Sequence, residues 1–99
     1  MTVAVERIQL RNPSPKKKGP RIPKETYDVL RKTALKTLPA TGLGMTLAEF
    51  RESLADRLLR TKGWDRSLSA PWYGMAIKLD LEARGEIKRT GSPQRLVRA

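Results

Sequence analysis

The chain has 99 residues with neither histidine nor cysteine, and 21 Lys and Arg against 10 Asp and Glu give it a formal charge of +11. Without cysteine there is no disulfide framework, thiolate nucleophile, or cysteine-held zinc or iron–sulfur centre, and without histidine no imidazole ligand or proton shuttle near neutral pH. A metal site would have to be built from carboxylates alone, no cofactor is expected, and the length allows one small core rather than two packed domains.

The positive excess is uneven. Residues 1–38 carry ten basic and three acidic side chains, residues 39–69 five and four, and residues 70–99 six and three. Arg11, Lys16, Lys17, Lys18, Arg21 and Lys24 follow one another without an acid. That run points to a polyanionic partner, nucleic acid ahead of an acidic membrane. No apolar run approaches the roughly 18 residues of a membrane span, and Glu6 and Arg7 interrupt the place where a signal peptide needs its apolar stretch. A cytoplasmic protein with no membrane partner is expected.

In chain order, Ile8 and Leu10 with their neighbours predict a short strand at 7–10. Residues 12–23, NPSPKKKGPRIP, hold four prolines and one glycine. They exclude helix and central strand and predict an extended basic arm or loop. The expected division is therefore a strand and arm over 1–23 and a folded domain over 24–99. From Lys24 the apolar spacing becomes helical through Tyr27, Leu30, Ala34 and Leu38, and Pro39 ends it. Thr46 and Glu49 form a capping box for a second helix with Leu47, Phe50, Leu54 and Leu58 on its apolar stripe, running to about Arg60 with Gly63 as its cap. Ser69 and Pro71 start a third helix that runs from Ala70 to Arg84 and stops at Gly85. Two strand-like stretches, EIKRT and QRLVR, then flank Gly91-Ser92-Pro93 as a hairpin.

The fold class is accordingly mainly α with a small β-hairpin and a short N-terminal strand. Three helices followed by a hairpin are the layout of a winged helix, with helices two and three as a helix-turn-helix and the hairpin as the wing. The junction supports it physically. Leu81 packs inward from the last turn of helix three, Gly85 turns the chain back, and Ile87 re-enters the core from the wing. Leu81-Glu82, Gly85 and Ile87, with Lys88 and Arg89 after them, resemble the corresponding stretch of winged-helix regulators. From Arg7 onward the chain is also similar to a family of small bacterial winged-helix proteins. The matching features are RIQLRNP, the Gly/Lys-rich arm, Tyr27 through Leu38-Pro39, Leu47-Ala48-Glu49, Trp72-Tyr73, Leu79-Asp-Leu-Glu-Ala83, Gly85 and the closing Arg95-Leu-Val-Arg-Ala99. The resemblance implies the fold and a DNA-binding role.

The third helix is apolar on two faces, Tyr73, Ile77 and Leu81 on one and Trp72, Ala76, Leu79 and Ala83 on the other. Only Met75, Lys78 and Glu82 remain for a groove, and Asp80 and Glu82 cancel Lys78 and Arg84. The expected phosphate contacts are therefore Lys16, Lys17, Lys18 and Arg21 in the arm, Arg66, Ser67 and Ser69 before helix three, Lys78 on it, and Lys88, Arg89 and Arg95 in the wing. Ser67 and Ser69 read more readily as caps than as catalytic groups, because nothing nearby can act as a base for them. For Trp72, stacking on a base and packing inside the molecule are both open, with packing favoured. Trp64 reads as a plug over the end of helix two. Trp72 and Leu79 are also the candidate interface of a homodimer. The expected function is non-enzymatic binding of nucleic acid, duplex DNA first, by a regulator or architectural protein. The alternatives are a winged-helix module that docks or dimerises through helix three, and RNA binding with Trp72 and Tyr73 stacked on unpaired bases.

Overall fold

Three helices at right register to share one core, and two short antiparallel hairpins beside them, make up a computed structural model that describes residues 6–14, 16–39, 44–90 and 95–98. Helix α1, Lys24–Thr37, buries Tyr27, Leu30 and Ala34. It stops where Leu38 turns extended ahead of Pro39, since the residue before a proline is disfavoured in the helical region. Helix α2, Leu47–Leu59, begins at the expected capping box: Thr46 Oγ1 accepts the Glu49 N–H at 3.1 Å and Glu49 Oε1 accepts the Thr46 N–H at 3.0 Å. Phe50, Leu54 and Leu58 are buried along it, whereas Leu47, placed by spacing on the same stripe, is exposed. The cap at its other end is Arg60, and Gly63, expected there, lies in the following turn.

Helix α3, Ala70–Ala83, has Ser69 as N-cap, its hydroxyl accepting the Trp72 N–H, and a proline in its first turn. Ala70, Gly74, Ile77 and Leu81 face the core. Its end is a Schellman arrangement around Gly85, at φ +77°: the Gly85 N–H reaches Glu82 O at 3.1 Å and the Glu86 N–H reaches Leu81 O at 2.8 Å. The chain then enters strand β3, Ile87–Thr90, which pairs antiparallel with β4, Arg95–Arg98. Ile87 and Leu96 point inward. The Gly91-Ser92-Pro93 turn read from the sequence lies outside the described residues. Met45, just before α2, exchanges both backbone hydrogen bonds with Leu96, at 3.0 and 2.7 Å, and ties the α1–α2 connection to β4. Gly44 makes this approach feasible: at φ +79°, a Cβ there would sit 2.7 Å from Leu96 O.

Of the expected arm or loop, the N-terminal segment is a loop, closed by a second strand that the sequence did not reveal. Strand β1, Arg7–Gln9, pairs with strand β2, Arg21–Pro23, with Ile8 opposite Ile22. The ladder continues through the Leu10 N–H to Pro20 O at 3.0 Å and the Gly19 N–H to Leu10 O at 3.1 Å. The prolines tolerate this because they stand at the end of β2 and outside it, where a ladder donor can be missing. Leu10 and Ile22 are buried in the same core as the helices, so the basic residues sit on the loop of a second hairpin anchored in the domain. The architecture is thus mixed α and β, with two hairpins where one was expected.

Candidate nucleic-acid interface

A buried carboxylate fixes where the basic loop lies. Asp80 on α3 is 0% exposed. It accepts the Tyr27 hydroxyl at 2.8 Å, the Arg84 Nε–H at 2.9 and 3.0 Å, and the backbone N–H of Arg11 at 2.8 Å. The Arg84 guanidinium also lies 5.5 Å from the centre of the Tyr27 ring and donates to Gln9 O at 3.4 Å. Burial first, and then the hydrogen bond to Asp80, push the Tyr27 hydroxyl up to about 12. Asp80 was counted in the sequence only as a cancelled charge. The available signal was its position one turn before Arg84, on the side of α3 that carries Ile77 rather than on the outward side.

With the loop held this way, residues 11, 12 and 18–20 run beside the outward face of α3. Between them lies a groove of about 230 Å³ whose α3 wall is Trp72, Met75, Ala76 and Leu79, with Arg11 and Lys18 on the loop side. Lys17 and Lys18 also line the adjoining hollow that reaches Ala83. Trp72 is 54% exposed, with its ring edge-on to Tyr73 at 4.9 Å between centroids. Packing inside the molecule, the favoured reading for Trp72, is therefore corrected: its ring forms a groove wall. Trp64, by contrast, is buried and meets Tyr73 edge-on at 5.8 Å, as a plug should.

The expected phosphate contacts divide sharply. Lys16, Lys17, Lys18 and Arg21 are exposed, as is Arg11, and none makes an ion pair among the described residues. Arg66 and Lys88 are exposed too. Lys78 must be withdrawn. It is 5% exposed, and its Nζ lies 2.6 Å from Glu82 Oε1, one helical turn on. Glu82 also takes Arg89 from β3 in a two-pronged contact, 3.1 Å at each oxygen. Burial alone would push the Glu82 carboxyl up, but the hydrogen bonds from Arg89 and Lys78 outweigh it and hold the group below the usual carboxylate range. Arg89 is thereby committed to bracing the β3–β4 hairpin on α3. Arg95 donates to Gly44 O at 3.4 Å and stands 3.8 Å from Glu49, while Arg98 donates to Leu38 O at 2.8 Å. Ser67 is held in a local turn by Asp65, which accepts its N–H at 2.9 Å and its hydroxyl at 2.6 Å, and Ser69 caps α3. Among the described residues no group of three carboxylates converges to hold a metal ion, and no helix is long and apolar enough to cross a membrane.

Comparison with known proteins bears on the whole of this arrangement. Residues 7–96 match the profile of a family of unknown function, DUF6958. The chain belongs to the DUF6958 family. The matched span takes in the N-terminal hairpin, all three helices, β3 and the start of β4, the Asp80 hub and the basic loop, so these are parts of one DUF6958 unit. No curated protein and no solved structure matches the chain.

Proposed function

We propose that this DUF6958 chain is a winged-helix protein that holds duplex DNA by its phosphate backbone, acting in the cytoplasm as a regulator or architectural binder and not as an enzyme. The order of three helices followed by an antiparallel hairpin, with a glycine at φ +77° between α3 and β3, supports the winged-helix reading. The observation that carries the binding reading is the loop: Arg11, Lys16, Lys17, Lys18 and Arg21 are exposed, unopposed, and held beside α3 by Asp80. Phosphate recognition needs positive donors within reach, and each phosphate neutralised releases condensed counterions. The outward face of α3 supplies the apolar surface of Trp72, Met75, Ala76 and Leu79 rather than base-edge donors, so affinity comes from the backbone and not from sequence reading.

Titration of the chain with duplex DNA at two salt concentrations tests this. Tight binding at low salt that weakens steeply with added salt is expected, with a log–log slope of roughly −4.5 for about five neutralised phosphates. Absence of binding at low salt overturns the proposal.

The half-exposed Trp72 beside Met75, Ala76 and Leu79 favours a second reading, self-association or docking through the α3 face. Sedimentation equilibrium decides it. A dimer that Leu79→Glu converts to monomer supports that reading, and a monomer in both chains removes it.

A further inference from the structure

A second concentration of positive charge stands on the α1–α2 side, where the sequence suggests only solvated helix surface. Lys32 and Lys36 on α1, Arg57 and Arg60 at the end of α2, and Lys62 just beyond it enclose a cleft of about 450 Å³. The placement follows from helical period. Positions 29, 32, 33 and 36 share one face of α1, and 57 stands in the last turn of α2 with 60 and 61 in the turn that follows it. No carboxylate lines the cleft. Arg60 pairs with Asp56 along the exposed side of α2. For Lys32, Lys36, Arg57 and Lys62 no acidic partner stands within ion-pair distance among the described residues. The nearby hydroxyls are already committed, Thr33 donating to Val29 O at 2.7 Å and Thr61 to Arg57 O at 2.5 Å. Ammonium and guanidinium groups are therefore the donors this cleft offers.

Like charges gathered in one concavity repel one another, and a surface of this kind is relieved by an anion. The volume falls within the roughly 300–1,000 Å³ range of small-ligand sites and exceeds what one phosphate would fill. Arg and Lys together suit a chain of phosphates, the planar guanidinium bridging two oxygens and the lysines acting as point charges. We infer that the α1–α2 cleft binds linked phosphate groups, two or more in succession. It shares no lining residue with the α3 groove or the basic loop, so this inference stands apart from the proposed duplex contact.

Calorimetric titration with inorganic tripolyphosphate, at constant ionic strength set with chloride, tests it. Saturable binding is expected, weakened about tenfold or more in the double variant Lys36→Gln with Arg57→Gln, because charge-assisted hydrogen bonds are lost. With no ligand the same variant should melt at or slightly above the parent temperature, since like charges have been removed. A lower melting point would show that these cations serve the fold, and would overturn the inference. So would undetectable tripolyphosphate binding, or binding that the variant leaves unchanged. Duplex DNA then separates the sources of the phosphates. If it displaces tripolyphosphate and loses affinity in the cleft variant, the ligand is a nucleic-acid backbone; if it does neither, the ligand is a free polyphosphate compound. Replacing Lys16, Lys17 and Lys18 by Ala should lower duplex affinity and leave tripolyphosphate affinity intact, so failure of one proposal is distinguishable from failure of the other.

Discussion

The N-terminal loop and the C-terminal hairpin look alike as strings of cations, yet the fold uses them differently. In the hairpin, Arg89 is braced on Glu82, Arg95 reaches Gly44 O and Glu49, and Arg98 donates to Leu38 O. In the loop, Lys16, Lys17 and Lys18 face solvent and meet no carboxylate. The difference comes from what lies opposite each strand once the chain is folded. The β3–β4 hairpin packs beside Glu82 of α3, Glu49 of α2 and the carbonyls of Leu38 and Gly44 in the α1–α2 connection, whereas the loop crosses an apolar helix face. Net charge therefore overstates the cations open to phosphate, and the surplus that matters is local.

The largest test of this contrast is at Asp80, which seats the loop. Asp80→Ala leaves the Tyr27 hydroxyl, the Arg84 guanidinium and the Arg11 N–H without their common acceptor, and about 3–5 kcal/mol of stability should be lost on denaturant unfolding. At temperatures where the variant is still folded, duplex affinity should fall as well, although no cation has been removed. Unchanged affinity would mean that the loop works without its seat. Next in size is the loop itself. Changing Lys16, Lys17 and Lys18 to Ala should make the salt dependence of duplex binding shallower by about 2.7 in log–log slope, with the melting temperature unaffected.

The hub also responds to alkali. Because the Tyr27 hydroxyl ionises at about 12 in the folded chain, above its unfolded value, its contribution to stability is complete below pH of about 10 and is lost as pH rises through about 12. Unfolding midpoints measured across that window, with tyrosinate absorbance followed in a Tyr73→Phe background, should show the loss, and Tyr27→Phe should flatten it. The smallest effect separates two neighbours on β3. Lys88→Ala should reduce the salt slope by about 0.9. Arg89→Ala should barely change the slope but should cost up to about 1 kcal/mol of stability, as expected for a partly exposed ion pair. Equal slope changes at both positions would erase the distinction between bracing and gripping cations.

Much of the fold was legible in the sequence because it rests on local chemistry. The period of Tyr27, Leu30 and Ala34, the Thr46–Glu49 box, the Ser69–Pro71 start and the turn at Gly85 all appear where their residues dictate. What could not be read locally was pairing over distance. Nothing near Arg21, Ile22 and Pro23 reveals that they meet Arg7, Ile8 and Gln9, and prolines on both sides argue against a strand. The fate of Lys78 was half visible. Its partner at the fourth position onward is a standard helical ion pair, but only the packed structure shows that the pair is covered and that Arg89 closes it from β3. The α1–α2 cleft went unread for a related reason: its cations come from α1, the last turn of α2 and the turn after it, segments that only packing brings together.

The bond from the Arg11 amide to Asp80 joins positions 69 residues apart. Contacts of that span form late, because the intervening chain must be ordered before closure is favourable. The helices, each with its own cap, can assemble from near neighbours, and the N-terminal hairpin docks onto them when Asp80 and Tyr27 have come together. The Arg11 amide should then exchange its hydrogen only when the N-terminal hairpin undocks from α3, and more slowly than the amides of exposed Lys16 and Lys18. One backbone proton thus marks the step at which the first and last thirds of the chain become a single cooperative unit.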